Sequence, residues 1–389
     1  MKQGWEYKKL GEVCEVVSGS TPKTNIPEYW GNGHYWVTPA ELNDTTIYID
    51  KTERQITDEA LNKTKLRLLP VGTVLLSSRA PIGKVAITNT EMYCNQGFKN
   101  CICSDAIYNK YLFYFLRLKK DYLNSLGRGA TFKEISKSIV ESIKLPLPPK
   151  PTQLAIVSEL DKINELIRLK KEQLKDFDNL AQSLFYEMFG DPVENEKGWE
   201  VKKLNEIVSD NCSISYGIVQ PGDGIENGVP VVRPVDMTGT FVYRQGLKNT
   251  TKEISDSYKR TILKGNEILM CVRGTTGLIA MASSELRGCN VTRGITPIEC
   301  GKSCNKWFIY YQISNSSIQQ YIAEYTRGIA LKQINMKDVR DIPLCLPPLP
   351  LQHLFAQRIE QIEHQKAEVQ KSITDLETLL ASRMQYWFE

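Results

Sequence analysis

Apolar residues recur at helical spacing through Ile156, Leu160, Ile163, Ile167, Leu174, Phe177, Ala181, Leu184 and Met188, a stripe interrupted by Lys170. Steps of four and three residues alternate, the heptad pattern of a helix with a narrow apolar seam. A second stripe runs through Phe355, Ile359, Ile362, Val369, Ile373, Leu376, Leu380 and Trp387, interrupted by Lys366 and Arg383. Pro148-Pro149-Lys150-Pro151 leads into the first stripe, Pro347-Pro348-Leu349-Pro350 into the second, and Gly190-Asp191-Pro192 follows the first. Two long helices are therefore predicted, starting near Thr152 and Leu351, each roughly 55 Å long at 1.5 Å per residue. A helix of that length with so narrow a seam calls for a partner, and each stripe offers the other a helix of matching length. Antiparallel pairing is expected through Leu160, Ile163, Ile167, Leu174 and Phe177 on one helix and Ile359, Ile362, Val369, Ile373 and Leu376 on the other. The alternative is that each helix packs only on its own globular domain.

The rest of the chain changes period. Short β-prone runs such as Val16-Val17, Thr46-Ile47-Tyr48-Ile49 and Val71-Gly72-Thr73-Val74 are broken by Gly, Pro, Asn and Asp, and helical stretches are predicted near residues 108–126 and 306–325. The expected fold class is α+β. Globular domains over 1–149 and 191–346 alternate with long helices over 150–190 and 347–389.

This alternation is an internal repeat. Gly4-Trp5-Glu6-Tyr7-Lys8-Lys9-Leu10-Gly11-Glu12-Val13 returns as Gly198-Trp199-Glu200-Val201-Lys202-Lys203-Leu204-Asn205-Glu206-Ile207, identical at seven of ten positions and offset by 194. At that offset Ser78-Arg79-Ala80-Pro81-Ile82-Gly83 meets Val272-Arg273-Gly274-Thr275-Thr276-Gly277, retaining the Arg and the last Gly. Gly129-Ala130-Thr131-Phe132-Lys133-Glu134-Ile135 matches Gly328-Ile329-Ala330-Leu331-Lys332-Gln333-Ile334 at offset 199, as do the Pro-rich exits ending in Gln153 and Gln352. Units of this size are far longer than the roughly 20–50 residues of solenoid repeats. An approximate two-fold relation between two domain-sized copies is expected.

Charge follows the repeat. Residues 1–150 hold 21 Lys and Arg against 15 Asp and Glu, and 199–343 hold 18 against 14, whereas 151–198 hold 6 against 10 and 344–389 hold 4 against 6. Basic globular blocks joined by acidic helices suit a protein whose domains meet a polyanion and whose helices meet protein. Double-stranded DNA is the expected polyanion. Candidate contacts are basic and amide residues on Gly-containing loops: Lys23, Arg79, Lys84, Asn95, Gln96, Lys99, Arg128 and Lys133 in the first domain, and Asn290, Arg273, Arg293, Arg327 and Lys332 in the second. Arg pairs bidentately with guanine and Asn or Gln with adenine, while Lys suits phosphate. Arg79 with Arg273 and Arg128 with Arg327 stand out, because the repeat retains them while their surroundings differ.

Catalytic chemistry has little foothold. The chain has no G-x-G-x-x-G fingerprint and no Asn/Asp-Pro-Pro-aromatic tetrapeptide, and Gly301-Lys302-Ser303 has Thr296 where a P-loop needs its leading Gly. Three His, at 34, 353 and 364, leave few nucleophile partners, and neither Cys101-x-Cys103 nor Cys300-x3-Cys304 has zinc-site spacing, so no metal or catalytic residue is expected. No apolar run reaches signal-peptide or membrane-span length, and the ten cysteines read as reduced thiols, so a cytoplasmic protein without membrane contact is expected. A self-sufficient DNA-modifying enzyme and a protein-only coiled-coil scaffold are the competing readings.

The repeated Gly-Trp-Glu-x-Lys-Lys-Leu openings, Val17-Ser18-Gly19-Ser20-Thr21-Pro22, Ser77-Ser78-Arg79-Ala80-Pro81-Ile82-Gly83, the Gly-x-x-x-Lys-x-Ile segments and the Pro-rich exits together resemble the specificity subunit of type I restriction-modification systems. The resemblance implies two target-recognition domains, each reading one half of a bipartite DNA site, and paired helices that set the spacer between halves. It further implies two methyltransferase subunits docked on the helices, ATP-driven restriction and translocase subunits, and no cofactor in this chain, with S-adenosylmethionine, ATP and Mg on the partners. The second domain departs at Tyr216-Gly217 and at Val272-Arg273-Gly274-Thr275-Thr276-Gly277, so the two domains are expected to read different half-sites.

Overall fold

The computed structural model describes residues 4–79, 81–129, 133–222, 224–329 and 331–389; Ala80 of the first arginine loop, Ala130, Thr131 and Phe132 of the first Gly-x-x-x-Lys-x-Ile segment and Ala330 of the second lie outside the described residues. Alternating apolar runs become short strands, and the two stripes become two helices of 40 residues, Lys150–Phe189 and Leu349–Phe388. Contacts divide the chain into two compact units: the first holds the chain up to Lys171 with Lys371–Glu389, the second holds Glu172–Gln370.

In the first unit the opening motif forms strand β1 (Glu6–Lys9). Strands β2 (Cys14–Ser18), β3 (Trp30–Val37), β4 (Tyr48–Ile49), β5 (Gln55–Ile56), β6 (Val74–Leu76), β7 (Val85–Thr88), β8 (Tyr93–Cys94), β9 (Lys99–Cys103) and β10 (Lys144–Leu147) follow. They make a five-stranded sheet in the order β2-β9-β6-β7-β4, a three-stranded sheet β5-β3-β8, and the antiparallel pair β1-β10. Most pairings are antiparallel, but β3-β8 and β4-β7 run parallel. The predicted helix over 108–126 is two helices, Asn109–Leu118 and Lys120–Ser125, because Lys119 takes a non-helical backbone (φ −85°, ψ 15°) between them.

The second unit repeats this plan with β11 (Glu200–Lys203), β12 (Val229–Val232), β13 (Phe241–Val242), β14 (Lys248–Thr250), β15 (Ile268–Cys271), β16 (Ile279–Ala282), β17 (Asn290–Val291), β18 (Ile295–Ile298) and β19 (Pro343–Leu346). Its sheets are β13-β16-β15-β18, β14-β12-β17 and the antiparallel pair β11-β19. The second predicted helix is again broken, into Lys306–Ser314 and Ser316–Glu324, with the Asn315 side chain capping the latter by accepting from Ser317 N at 2.9 Å.

The residues the repeat retains are mostly fasteners. Leu10 and Leu204 are fully buried, and their amides donate to Ile143 and Ile342 at 2.9 Å each, closing β1 on β10 and β11 on β19. Glu12 and Glu206 accept from Lys9 N and Lys203 N, satisfying a donor at the start of a short helical turn. Gln153 and Gln352 are also fully buried. Gln153 accepts from Tyr108 N and donates to Pro148 and Ala106 carbonyls, while Gln352 accepts from Asn305 N and donates to Pro347. Each Gln thus ties the start of a long helix to the domain before it.

Those ties change the predicted seam. In the first unit Ile156, Val157 and Leu160 belong to the globular core, which also takes Phe388 between Tyr111 and Phe115. In the second, Phe355, Ile359 and Ile362 join a core with Ala181, Phe185 and Phe189. Leu160, Ile359 and Ile362 therefore pack on globular cores, and Phe177 packs against the second one. Within the first unit the helices pair in opposite directions, Glu159 with Arg383 and Lys171 with Glu377, and Ile163 lines a groove with Leu379. Ile163, Ile167 and Ile373 are buried there and Leu174, in the second unit, is half-buried; Leu376 is half-buried and Val369 buried. In the second unit Lys366 lies 2.8 Å from both Asp178 and Glu363. Burial opposes its charge, and the two carboxylates more than offset that, so its pKa stands above the ordinary lysine value.

All ten cysteines are free thiols, most of them buried. Among the described residues no helix is long and apolar enough to cross a membrane, and no group of three His, Cys, Asp or Glu is placed to hold a metal ion.

Candidate nucleic-acid interface

In the first unit the basic residues converge where β6 ends. Ser77 and Ser78 are fully buried: Ser77 N donates to Lys84 O, Ser77 Oγ donates to Pro81 O and accepts from Lys84 N, and Ser78 N donates to Gly97 O at 2.7 Å. The turn needs Gly83, whose φ of 91° is the left-handed conformation that suits glycine; Gly277 repeats it at 87°. Ser78 O accepts from Ile135 N at 3.0 Å, so Arg79 leaves a segment held on both flanks. Beside it, Arg128 and Glu134 exchange backbone hydrogen bonds of 3.0 Å in both directions and close a hairpin with Lys133 exposed on it.

Glu134 is the pivot of this arrangement. Its backbone bridges both Arg79 and Arg128, its Oε1 lies 3.0 Å from Lys99 Nζ, and its Oε2 lies 3.9 Å from Arg79 Nη1. Lys99 is only 8% exposed, and a buried ammonium requires such a carboxylate. The loop before β9 completes the cluster: Asn95 Oδ1 accepts from Gly97 N at 2.9 Å, and Gln96 Oε1 accepts from Thr21 Oγ1. A Cβ on Gly19 would stand 1.8 Å from the Asn95 carbonyl oxygen, so only glycine lets the segment that follows β2 approach this loop. Lys84 Nζ donates to Pro39 O, and Lys23 is exposed two residues beyond Thr21.

The second unit rebuilds the device. Val272 N donates to Gly294 O at 2.7 Å, Ile334 N donates to Val272 O, and Arg327 and Gln333 exchange backbone bonds of 2.8 Å. Gly274 N donates to Lys332 O, drawing the Arg273 segment and the hairpin together. Gly217 plays the part of Gly19, its hypothetical Cβ standing 2.2 Å from Val291 O. Cys271 Sγ donates to Arg273 O at 3.2 Å, and burial pushes its thiol pKa up, so it stays a donor at neutral pH.

Hydrogen bonding sets a structural correspondence that the plain sequence offset misses. Ser78 answers to Val272 at a separation of 194, but Gly97 answers to Gly294 at 197, so Lys99 answers to Thr296 and Gln96 to Arg293. Glu134 answers to Gln333 through the paired hairpins. The ion pair of the first unit is thus replaced by two uncharged side chains. Gln333 Nε2 donates to Tyr216 Oη at 3.1 Å, Arg293 stacks 5.9 Å over the Tyr216 ring, and Arg273 Nε is buried with no hydrogen-bond partner among the described residues.

Arg79, Asn95, Gln96, Lys99, Arg128 and Lys133 thus come together in one unit, and Arg273, Arg293, Arg327 and Lys332 in the other. Asn290 is a correction. It is fully buried, its Oδ1 accepts from Thr261 Oγ1 and Val291 N, and its Nδ2 donates to Ser255, so it holds β17 in place and has no face for a ligand. Glu134, Gln333 and Tyr216 stand outside the residues expected from the sequence: Glu134 is a carboxylate, Tyr216 is aromatic, and Gln333 gains its place only by answering to Glu134. Their signal was positional: 134 and 333 occupy the same place in the repeated Gly-x-x-x-Lys-x-Ile segments.

Comparison with known proteins gives the family. The chain is 29% identical to the MjaIX type I restriction enzyme specificity subunit of Methanocaldococcus jannaschii, across 96% of this chain and 90% of that one. It is 25% identical to the EcoBI specificity subunit of Escherichia coli across 69% and 62%. The type I restriction-modification S subunit of M. genitalium superposes with a TM-score of 0.54 at 15% identity, covering 99% of this chain and 96% of that one. A chain from a structure of type I restriction-modification complex assembly and conformational transition superposes at 0.63 with 20% identity, over 99% and 97%. The type I restriction modification DNA specificity domain matches twice, over residues 2–176 and 196–378, and the chain belongs to that family of DNA specificity subunits.

Proposed function

We propose that each unit reads one half of a bipartite site on double-stranded DNA, through the arginine loop and the hairpin beside it. The long helices, paired as an antiparallel coiled coil, would fix the spacer and dock two methyltransferase subunits. Adenine methylation with S-adenosylmethionine, and restriction with ATP and Mg, then belong to partner subunits. One observation carries the reading: the same device, an arginine segment clamped to an arginine-bearing hairpin, is built twice from differing residues. A backbone scaffold that is copied while its side chains vary is what two different half-sites ask for.

The test is Arg79→Ala with Arg273→Ala in the chain assembled with methyltransferase subunits. Specific DNA binding should fall; unchanged binding would mean that the domains are protein adaptors. Methylation by the chain alone would instead point to a self-sufficient enzyme. Inserting one heptad into both helices should lengthen the spacer between methylated half-sites, and an unaltered spacer would remove the helices from that role.

A further inference from the structure

We propose that the second unit reads thymine: Val219, Val235, Ile329 and Leu331, set around the Arg273 segment and its hairpin, cover thymine methyl groups in the major groove of its half-site. The inference rests on the DNA-reading role argued above and names the base chemistry that one of the two units recognises.

These four side chains are exposed, Ile329 fully and Val235 to 70%. Each leaves a segment that hydrogen bonding or packing ties to the arginine device. Ile218 N donates to Val291 O, and Arg293 N donates to Ile218 O at 2.7 Å, which sets Val219 beside the Arg293 loop. Val235 is the middle residue of the short helical turn Pro234–Asp236. Asp236 Oδ2 accepts from Arg233 N at 2.8 Å and from Arg233 Nε at 3.0 Å, and its Oδ1 accepts from Arg233 Nη2 at 2.7 Å, so the turn is held in a closed box. It adjoins the arginine: a Cβ on Gly294 would stand 2.8 Å from Pro234 Cγ and 3.6 Å from Arg273 O. Ile329 and Leu331 lie on the hairpin that Arg327 and Gln333 close, which Gly274 N fastens to the Arg273 segment through Lys332 O.

The chemistry of the groove selects the ligand. Arg273, Arg293, Arg327 and Lys332 share this surface, so its complement is a polyanion, and the apolar side chains among them need an apolar group inside that polyanion. In the major groove, where an arginine meets guanine, the thymine C5-methyl is that group. Valine or isoleucine laid over a cytosine or guanine edge would bury amino or carbonyl groups without partners. The first unit differs at the places that hydrogen bonding matches. Ser20 N donates to Cys94 O as Ile218 N does to Val291 O, so Val219 answers to Thr21, which is bonded to Gln96. Val235 answers to Ala40 through the same Pro-bearing turn, capped there by Glu41. Ala130 and Phe132, the counterparts of Ile329 and Leu331 in the repeat, lie outside the described residues, and the inference concerns the second unit alone.

The experiment removes single methyl groups from the DNA. The chain assembled with methyltransferase subunits is bound to a duplex selected from a random pool. Within the block that Arg273→Ala relaxes, each thymine is replaced in turn by deoxyuridine, which lacks only the C5-methyl. At one or more positions affinity should fall about fourfold, the worth of one buried methyl. One of two variants, Val219→Thr with Val235→Ala or Ile329→Ser, should bind the thymine and deoxyuridine duplexes alike at each such position. The parent titration needs no variant, so it stays decisive if either variant misfolds. A block without thymine on either strand, or equal affinity for thymine and deoxyuridine at every position, overturns the inference while the DNA-reading role stands. Variants that weaken assembly with methyltransferase subunits and leave the parent's methyl effect unchanged make the apolar residues a protein contact, and overturn it too. The absence of any block that depends on Arg273 overturns the DNA-reading role itself, and the inference with it.

Discussion

Beside Arg79 stand the Glu134 carboxylate and, paired with it, the buried Lys99; at the equivalent places of the second unit stand Gln333, hydrogen-bonded to Tyr216, and Thr296. The backbone around the two is nearly the same, down to the paired hydrogen bonds of Arg128 with Glu134 and of Arg327 with Gln333. Duplication therefore kept what makes a loop stand in one place and let go of what gives it a chemical preference. The helix pairing shows the same separation: both units grip two helices by aromatic residues, but one adds the Glu159–Arg383 pair and the other buries Lys366 between Asp178 and Glu363.

The largest test of that contrast is in the grip. Phe185 packs against Phe189, Phe308 and Phe355, so Phe185→Ala should cost about 3–5 kcal/mol in denaturant unfolding of the second unit. Phe388 packs on the Tyr111 and Phe115 rings, a smaller aromatic cluster than that around Phe185, and should cost less when truncated. Equal losses would mean that both ends of the helix pair are gripped alike. Gln153→Leu leaves a backbone N–H and two carbonyl oxygens without their partner, Gln352→Leu an N–H and one carbonyl oxygen, and each should cost about 1–3 kcal/mol, with little difference between units. A large asymmetry in thermal melting would show that one helix start is held by something else.

Smaller effects separate the arginines. Arg79→Ala should forfeit about 1–3 kcal/mol of discrimination at one base position in binding competitions. Arg273→Ala should forfeit a similar amount at a position in the other half-site. The smallest effect concerns pH. Glu159 is held below the ordinary carboxylate range chiefly by its hydrogen bond to Arg383, helped by Trp387. A depressed folded-state pKa gives stability that is present above the unfolded value and lost as pH falls through the folded one. Acid titration of the parent chain against Glu159→Gln should therefore converge at low pH, with a difference near neutrality under about 1 kcal/mol, since the pair is part-exposed.

Much of the architecture was legible in the sequence because periodicity and repetition are properties of the chain itself. The stripes at 156–188 and 355–387 are carried by helical spacing, and the opening motif recurs because one strand pairing recurs. What escaped is relational. Leu160 and Ile359 sit on the stripe, yet a stripe does not say whether the neighbour is a helix or a globular core. Asn290 looked like a loop amide because burial by Ser255, Tyr258 and Thr261 comes from residues about thirty positions away. Glu134 was hidden for a similar reason: its meaning depends on Lys99 and Arg79, which only the folded sheet brings beside it.

The central claim is that two units of one chain read two half-sites independently. Selection of bound duplexes from a random pool, by the chain assembled with methyltransferase subunits, tests it most directly. Two specified blocks separated by an unspecified spacer should emerge, with Arg79→Ala relaxing one block and Arg273→Ala relaxing the other. A single contiguous block, or loss of one and the same block in both variants, would contradict the account.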